Sequence, residues 1–331
     1  MRRREFIATL SGFGIKWVAD SVGAHAEQRK SRVGALMVIA ESDPDAPRFV
    51  KAIETQLDAA GWHNGRNLEI TYRWGASDPQ LLADYAQELV VSAPDVLLAL
   101  GTPALIPLHK ATTTIPIVFT SVSDPVAQGF VASLARPGGN ITGFANFEPN
   151  IGAKWLQLLK EVAPSVTQTN VMFNPNTSPY NSLRMHSIEI ASPSFGVSTS
   201  EMVVQSKNDI KSGIELLATK TGSSLVVPSD SFTFRHSAFI VELAGIHRIP
   251  AVYAYSRFAH EGGLIAYGID LVGQFGEAAA YIDRVLKGTK PADLPVQAPT
   301  RYTMVINLKS ANALGLSIAP ALLAAADEVV E

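Results

Sequence analysis

Cysteine is absent from this 331-residue sequence, and charged residues are scarce, at 17% of the chain. Without thiols, the chain cannot be a disulfide-stapled scaffold, a thiolate zinc module or an iron–sulfur protein. The formal net charge of −3 provides no broad basic surface, so we expect no nucleic-acid partner. No uninterrupted apolar run approaches the ~18 residues of a membrane span. The hydrophobic content of 47% instead predicts roughly one to three domains with sizeable cores.

Common catalytic motifs are also missing. The first predicted strand, 33–39, is followed by Ala40-Glu41-Ser42 and not by the G-x-G-x-x-G of a dinucleotide site. There is no phosphate-binding P-loop and no G-x-S-x-G nucleophile turn, and His260-Glu261 lacks the second His of a zinc protease. The seven His are scattered along the chain. We therefore expect no catalytic residues, no metal site and no cofactor.

The N-terminus has the pattern of an export signal. Arg2-Arg3-Arg4 precedes a moderately apolar stretch, and Ala24-His25-Ala26 follows it. A basic start, an apolar middle and an Ala-x-Ala end are typical of a cleaved signal peptide, so we predict one over residues 1–26 and a periplasmic mature protein. The Arg3-Arg4 pair favours the twin-arginine route. The alternative is an amphipathic N-terminal helix, because charged residues interrupt the apolar stretch.

From residue 32 onward, strand patterns alternate with helix patterns. Strands are predicted at 33–39, 68–73, 95–100, 115–120, 169–173, 197–204, 224–227, 249–253, 264–267 and 302–306. Helices are predicted at 47–60, from 79, from 103, briefly from 125, at 152–162, 179–191, 209–218, 234–247 and 275–285, and along the Ala-rich C-terminus to near 331. Near-continuous apolar strands with helical crossovers are typical of an α/β protein whose parallel sheets are covered on both faces. The chain carries two such blocks, and the turn at 136–140 marks the end of the first.

Several predicted helices begin with a capping residue followed by proline. These capping residues are Asp78, Thr102, Asp124 and Ser178. Proline at the first helical position loses no hydrogen bond. The free N–H groups of such helix starts lie at the carboxyl ends of the strands, where open parallel sheets bind ligands and where carboxylates are favoured. Thr102 and the segment 121–124 follow strands predicted to be central, so they are the better pocket candidates.

Short, specific motifs are spread over nearly the whole chain. They are Gly101-Thr102-Pro103-Ala104, Ile115-Pro116-Ile117-Val118-Phe119, Asp124-Pro125-Val126, Gly129-Phe130-Val131, Arg136-Pro137-Gly138-Gly139-Asn140, Gly262-Gly263-Leu264 and Pro291-Ala292-Asp293-Leu294-Pro295. With these motifs the chain resembles the ABC transporter substrate-binding protein family of the tryptophan/tyrosine-binding type. The resemblance implies a two-lobed periplasmic binding protein fold of type I. Each lobe would be a parallel sheet flanked by helices, with three hinge crossings between the lobes.

The resemblance also implies lobe boundaries and a function. Lobe one would comprise 32–145 plus 263–290, and lobe two would comprise 146–262 plus 291–331. The protein would be an exported, monomeric, non-enzymatic binder that captures an amino acid or aromatic carboxylate and delivers it to an ABC permease in the inner membrane. Two alternatives stay open: a periplasmic sensing module that signals to a membrane receptor, and a cleft enzyme on a similar frame.

Candidate ligand contacts are polar or aromatic residues at the predicted strand ends of both lobes. In lobe one they are Glu41, Ser42, Thr102, Pro103, Ser121, Ser123 and Asp124, and in lobe two they are Asn174, Asn176, Ser229, Asp230, Tyr253 and Tyr267. Thr102, at a helix start, would receive a ligand carboxylate. Asp230 would accept from a ligand ammonium, because its surroundings do not look like an ordinary cap before proline.

Some of these residues have an alternative, purely structural role. Asp124 would cap the short helix that follows it. The rings of Tyr253, Tyr255 and Tyr267 offer stacking faces for an aromatic ligand, or they pack in the core with the hydroxyl at its rim. The acidic loop that begins at Glu41 favours a cationic ligand group or simply faces solvent.

Overall fold

The computed structural model of the chain describes residues 29–146, 150–178 and 181–331. The predicted signal peptide, residues 1–26, lies outside the described residues, and so does Pro179, where one helix was expected to begin. Among the described helices, none has both the length and the apolar character needed to cross a membrane.

The first lobe is built on a parallel sheet. Its strands are β1 (Ser31–Met37), β2 (Leu68–Trp74), β3 (Val96–Leu100), β4 (Ile117–Val122) and β5 (Ile141–Ala145). Its first helices are α1 (Ala46–Ala59), α2 (Pro79–Val91) and α3 (Thr102–Ala111). The strand order is β2-β1-β3-β4-β5, and all these pairings are parallel.

The second lobe is built on a larger, mixed sheet. Its strands are β6 (Gln168–Phe173), β7 (Ser198–Val203), β8 (Ser223–Val227), β9 (Ala251–Tyr253), β10 (Ile265–Ile269), β11 (Tyr302–Asn307) and β12 (Glu328–Val330). The helices of this half are α4 (Ile151–Val162), α5 (Asn181–Phe195), α6 (Lys207–Ala218), α7 (Ser231–Arg235), α8 (Ser237–Ile246), α9 (Ser256–His260), α10 (Leu271–Leu286), α11 (Leu308–Leu314) and α12 (Pro320–Ala325). The strand order is β12-β11-β10-β9-β8-β6-β7. Only the β10–β11 pair is antiparallel among the described strands.

In the first lobe, the burial pattern shows how the helices pack against the sheet. All five residues of β3 are buried, as expected for a strand of a parallel sheet covered on both faces. Helix α1 buries Phe49, Ile53 and Leu57 on one face. Phe49 stacks against Phe275 of α10 with ring centroids 4.6 Å apart. Helix α10 therefore packs on the first lobe, although it follows a strand of the second sheet.

The predicted lobe boundaries need correction in two places. Residues 263–290 were expected in lobe one, but β10 pairs with β9 and β11 in the second sheet, and only α10 returns to the first lobe. Residues 291–331 were expected in lobe two, but the Gln297 backbone bonds with Gly143 and Ala145 of β5. The chain thus passes between the lobes after β5, after β10 and before β11.

Three predicted helices differ from the observed elements. The segment after Pro125 forms turns instead of a short helix, and Gly129 adopts a left-handed φ of 74° there. The single helix predicted at 234–247 is two helices, α7 and α8, which meet at His236. The C-terminal helix ends at Ala325, because the Met304 N–H binds Asp327 and places β12 parallel to β11.

Candidate ligand-binding site

A cavity lies where the carboxyl ends of the two sheets face each other. It encloses about 490 Å³, including open solvent at its mouth. The first lobe contributes Val38, Ile39, Phe49, Leu100, Gly101, Thr102, Pro103, Ser121, Ser123, Asn146 and Leu271, and the second contributes Thr177, Ser229, Asp230, Ser231, Phe234 and Tyr255. This is the edge at which parallel α/β sheets bind ligands.

The polar wall of the first lobe is held in place by its own hydrogen bonds. Ser121 has a left-handed φ of 56° at a register shift between β4 and β5. The Asn146 amide donates to the Ser121 carbonyl at 3.0 Å. The Thr102 hydroxyl oxygen accepts from the Ser123 N–H at 3.3 Å, so its own proton remains available to a ligand. The N-terminus of the ten-residue helix α3 adds positive potential at the same place.

Asp230 is the buried acid of the second lobe, with 3% of its surface exposed. It accepts from the N–H of Asn174 at 2.8 Å, from the N–H of Phe232 at 3.0 Å and from the Thr177 hydroxyl. The bond to Phe232 makes it the N-cap of α7, although, as the sequence indicated, it is not a cap before proline. Burial raises the pKa of Asp230, while its hydrogen bonds oppose that shift.

The remaining wall of the cavity is apolar and aromatic. Phe234 and Tyr255 meet edge to face with centroids 5.0 Å apart. The Arg257 guanidinium lies over the Phe234 ring at 4.7 Å. Across the cleft, Phe49 and Leu271 line the cavity from the first lobe. The cavity therefore has one polar and one aromatic end, which suits a ligand with both characters.

Four side chains of the second lobe bridge to the first, and one of them is Arg235, whose guanidinium donates to the Ala76 carbonyl at 2.8 Å. The Tyr255 hydroxyl is hydrogen-bonded with Ser121 and Ser229. One Arg257 nitrogen donates to both carboxylate oxygens of Asp43 at 2.8 Å. Arg184 also bridges the lobes, because it donates to Ser123 and Asn146. Because these contacts span the cleft, the two lobes are held together in this form.

Arg184 is almost completely buried, with 2% of its surface exposed. One terminal nitrogen donates to Ser123 Oγ at 2.8 Å and to Asn146 Oδ1 at 3.2 Å, and the other donates to Ser178 Oγ at 3.1 Å. No carboxylate of the described residues lies within 4.0 Å of it. Burial lowers the pKa of Arg184, and the carboxyl group of Asp230 acts in the opposite direction.

About half of the predicted contacts are brought together. The cavity is lined by Thr102, Pro103, Ser121, Ser123, Ser229 and Asp230. Glu41 and Ser42 are exposed and lie outside it, because the chain turns away after Val38 and Ile39 have passed the cavity. Asp124 also lies outside, and its carboxylate caps the Ala127 N–H in a turn.

The other predicted contacts of the second lobe lie elsewhere. Asn174 is buried behind Asp230, and Asn176 is exposed. Tyr253 is a core residue that stacks on Phe258 with centroids 4.7 Å apart. Tyr267 stacks on Tyr302 at 5.5 Å, away from the cavity. Of the three tyrosines considered for stacking, only Tyr255 lines the cavity.

Several cavity residues were not predicted. Asn146 follows β5, a strand that the sequence did not predict, whereas Thr177 lies four residues after the predicted strand 169–173, one residue beyond the selected Asn176. Phe234 lies on a helix, and so does Arg184, which contacts the cavity residues Ser123 and Asn146, so a search restricted to strand ends had no signal for either. In the described part of the chain, no cluster of three His, Asp or Glu side chains is suited to hold a metal ion.

Two α/β lobes around a cavity at their strand ends form the architecture of type I periplasmic binding proteins. The family model for ABC transporter substrate binding protein matches residues 35–330, and the chain belongs to this family. A tyrosine-binding protein of Clostridioides difficile (strain R20291) is 26% identical over 292 residues, covering 87% of this chain and 82% of that protein.

Solved structures agree with this membership. A conserved domain protein from Vibrio cholerae has a TM-score of 0.84 at 28% identity, over 91% of this chain and 100% of that one. An ABC domain from Streptococcus pneumonia in complex with L-Trp has a TM-score of 0.84 at 25% identity, with the same coverage. A ligand-free, open substrate-binding protein from Clostridium difficile has a TM-score of 0.67 at 26% identity, over 88% and 96%.

Proposed function

We propose that this chain is an exported solute-binding protein that captures an aromatic amino acid between its lobes and delivers it to an ABC importer. The observation that carries the proposal is the two-sided cavity. Asp230 and Thr102 offer an acceptor for an ammonium group and a donor for a carboxylate, and Phe49 and Phe234 form an apolar wall. A small molecule with all three groups would satisfy both sides of the cavity.

A closed form of the cleft supports the capture step. At nearly equal sequence identity, the chain superimposes better on the L-Trp complex than on the ligand-free open structure, with TM-scores of 0.84 and 0.67. The contacts of Arg257, Tyr255 and Arg184 across the cleft agree with closure. We infer that ligand shifts the protein toward this form, because it contacts both lobes only there.

Export and delivery are supported by the sequence and by family membership. Residues 1–26 have the pattern of a signal peptide, with an Arg3-Arg4 pair that favours the twin-arginine route. The family's name associates it with ABC transporters. A binding protein needs no catalytic group, and the cavity offers hydrogen-bonding and apolar surfaces for a solute.

A thermal-shift screen tests the ligand class. The panel contains the protein amino acids, the D-enantiomers of tyrosine and tryptophan as controls, and aromatic acids without an amino group. L-Tyrosine or L-tryptophan at about 100 times its Kd should stabilise the fold by about 2.7 kcal/mol, a Tm rise of several degrees. If no L-amino acid raises the Tm of well-folded protein, the proposal is wrong.

A further inference from the structure

The start of α5 carries a buried cation that the described residues leave without a counter-charge. Arg184 donates to two hydroxyls and one amide oxygen, all of them neutral acceptors. No described carboxylate lies within 4.0 Å. A buried charge that is not neutralised is strongly destabilising. The buried charge of Arg184 therefore destabilises the protein unless another molecule brings a negative charge.

The preceding turn of the same helix carries a second unsatisfied group. Asn181 is 2% exposed, and neither its Oδ1 nor its Nδ2 has a hydrogen-bond partner in the described part of the chain. A buried amide without hydrogen-bond partners is also destabilising. Asn181 and Arg184 are three residues apart, so they lie on the same face of α5. Among the described residues, Arg184 thus lacks a counter-charge and Asn181 lacks hydrogen-bond partners.

This face of α5 adjoins the polar end of the cavity. The Arg184 guanidinium is one hydrogen bond away from the cavity, since it donates to Ser123 and Asn146, which both line it. Asp230 lines the same cavity and is also buried, and its charge and that of Arg184 interact without forming an ion pair. Arg184 and Asp230 therefore act on one cavity from separate positions, and their charges attract each other through space without forming an ion pair.

Resting on the proposed function, we propose that Arg184 and Asn181 complete the carboxylate-recognition element of the cleft, of which Thr102 is the part that lines the cavity. The ligand's carboxylate is neutralised from the Arg184 side, and its ammonium is neutralised by Asp230. A zwitterion brings one charge of each sign, so it satisfies both buried charges at once. Charge-assisted hydrogen bonds of this kind are the strong ones. The cleft then selects free amino acids over amines and amides that lack the carboxylate.

Calorimetric titration of three ligands tests this assignment. L-Tyrosine has the carboxylate, tyrosinamide replaces it with a neutral amide, and tyramine lacks it. Wild-type protein should prefer L-tyrosine to both by about 30-fold or more, the range expected for hydrogen bonds to a charged group. Equal affinity for L-tyrosine and tyrosinamide would overturn the assignment without any variant.

Two variants locate the effect. Arg184→Gln should lose about 30-fold in affinity for L-tyrosine but less than about threefold for tyramine, and Arg184→Lys should recover part of the preference. Arg257→Gln is the matched control, because Arg257 also bridges the lobes but already binds Asp43; it should weaken both ligands equally. If Arg184→Gln instead weakens the binding of L-tyrosine and the binding of tyramine by the same factor, Arg184 only supports the cavity wall, and the assignment is wrong.

The outcome separates this inference from the proposed function. A wild-type protein that binds L-tyrosine and tyrosinamide equally refutes the role of Arg184 and leaves amino-acid capture intact. A folded wild-type protein that binds none of the three ligands and no other amino acid refutes both. If Arg184→Gln fails to fold, as judged by circular dichroism, the wild-type comparison and Arg184→Lys still decide.

Discussion

Arg257 joins the lobes through the loop that follows β1. Its guanidinium binds Asp43 at 2.8 Å and lies 3.7 Å from Asp45, and both members of the Asp43 pair are largely buried. It also binds Glu261 one turn along α9, within its own lobe. The acidic loop, which the sequence suggested would attract a cationic ligand or face solvent, therefore serves a contact between lobes.

We predict that Arg257→Met weakens ligand binding by about tenfold. The ion pair with Asp43 exists only when the lobes meet, so its loss destabilises the closed form more than the folded chain. The free energy of unfolding should fall little, because within the lobe only the pair with Glu261 and the cation–π contact with Phe234 are lost. Calorimetry and urea unfolding measure the two effects. Arg48→Met is the control, since Arg48 pairs with Asp45 inside one lobe; equal loss of affinity in both variants would contradict the prediction.

The raised pKa of Asp230 predicts a pH dependence of both stability and binding. Burial lets the folded protein hold this proton to higher pH than the unfolded chain, whose Asp pKa is about 3.9. The stability from Asp230 is thus complete below that value and is lost as pH rises through the folded pKa. A ligand ammonium reverses the shift, so affinity should rise over the same interval.

Proton release on binding measures this coupling. Titrations with L-tyrosine in buffers of different ionisation enthalpy, from pH 4 upward, should show protons leaving the protein when ligand binds. Asp230→Asn should abolish the release. If wild-type affinity is independent of pH and no protons are released, Asp230 does not bind the ammonium.

Single residues of the site were predictable only where they end strands. Thr102, Ser121 and Ser229 follow strands whose apolar pattern is unmistakable. Arg184 was not predictable, because nothing in the sequence pattern of α5 indicates that its single Lys or Arg will be buried against the other lobe. Glu41 was predicted by the same strand-end rule and is exposed, because β1 ends at Met37 and the chain turns away two residues later.

At the scale of elements, the positions of ten strands were predicted well, β5 and β12 were missed, and the partners of the strands were not predicted. β10 lies within two residues of the predicted strand, yet it was placed in the wrong lobe. Its apolar pattern is the same in either sheet, and the antiparallel pairing of Ile265 with Ile306 depends on a segment some 40 residues further along the chain. Long-range pairing of this kind leaves no periodic signal.

Close approach of β10 to its neighbour gives an element-scale prediction. A Cβ on Gly268 would lie 1.7 Å from the Ala254 carbonyl oxygen. Gly268→Ala should therefore destabilise the fold by about 3 kcal/mol or more, since backbone must move. Gly276→Ala is the control: it lies in α10 with nothing within 4 Å of the new Cβ, and it should stabilise by about 0.5–1 kcal/mol. Denaturant unfolding measures both, and equal effects would contradict the packing described for β10.

At the scale of the whole molecule, α10 and the segment up to Gln297 bind the two lobes into one structure. α10 leaves the second sheet, packs on the first lobe against α1, and the chain then returns to β11. Each passage between the lobes is a place where φ and ψ changes can open the cleft. The contacts that Arg184, Tyr255 and Arg257 make between the lobes all lie on the cleft side of these passages.

Calorimetric titration with a cavity-filling variant is the most direct test of the account. Ser229→Phe fills the cavity from the second lobe, and Ser200→Phe places the same side chain at an exposed position of β7. Wild type and Ser200→Phe should bind one molecule of L-tyrosine or L-tryptophan per chain, and Ser229→Phe should bind neither. Undiminished binding by folded Ser229→Phe, or none by folded wild type, would contradict an amino-acid site between the lobes.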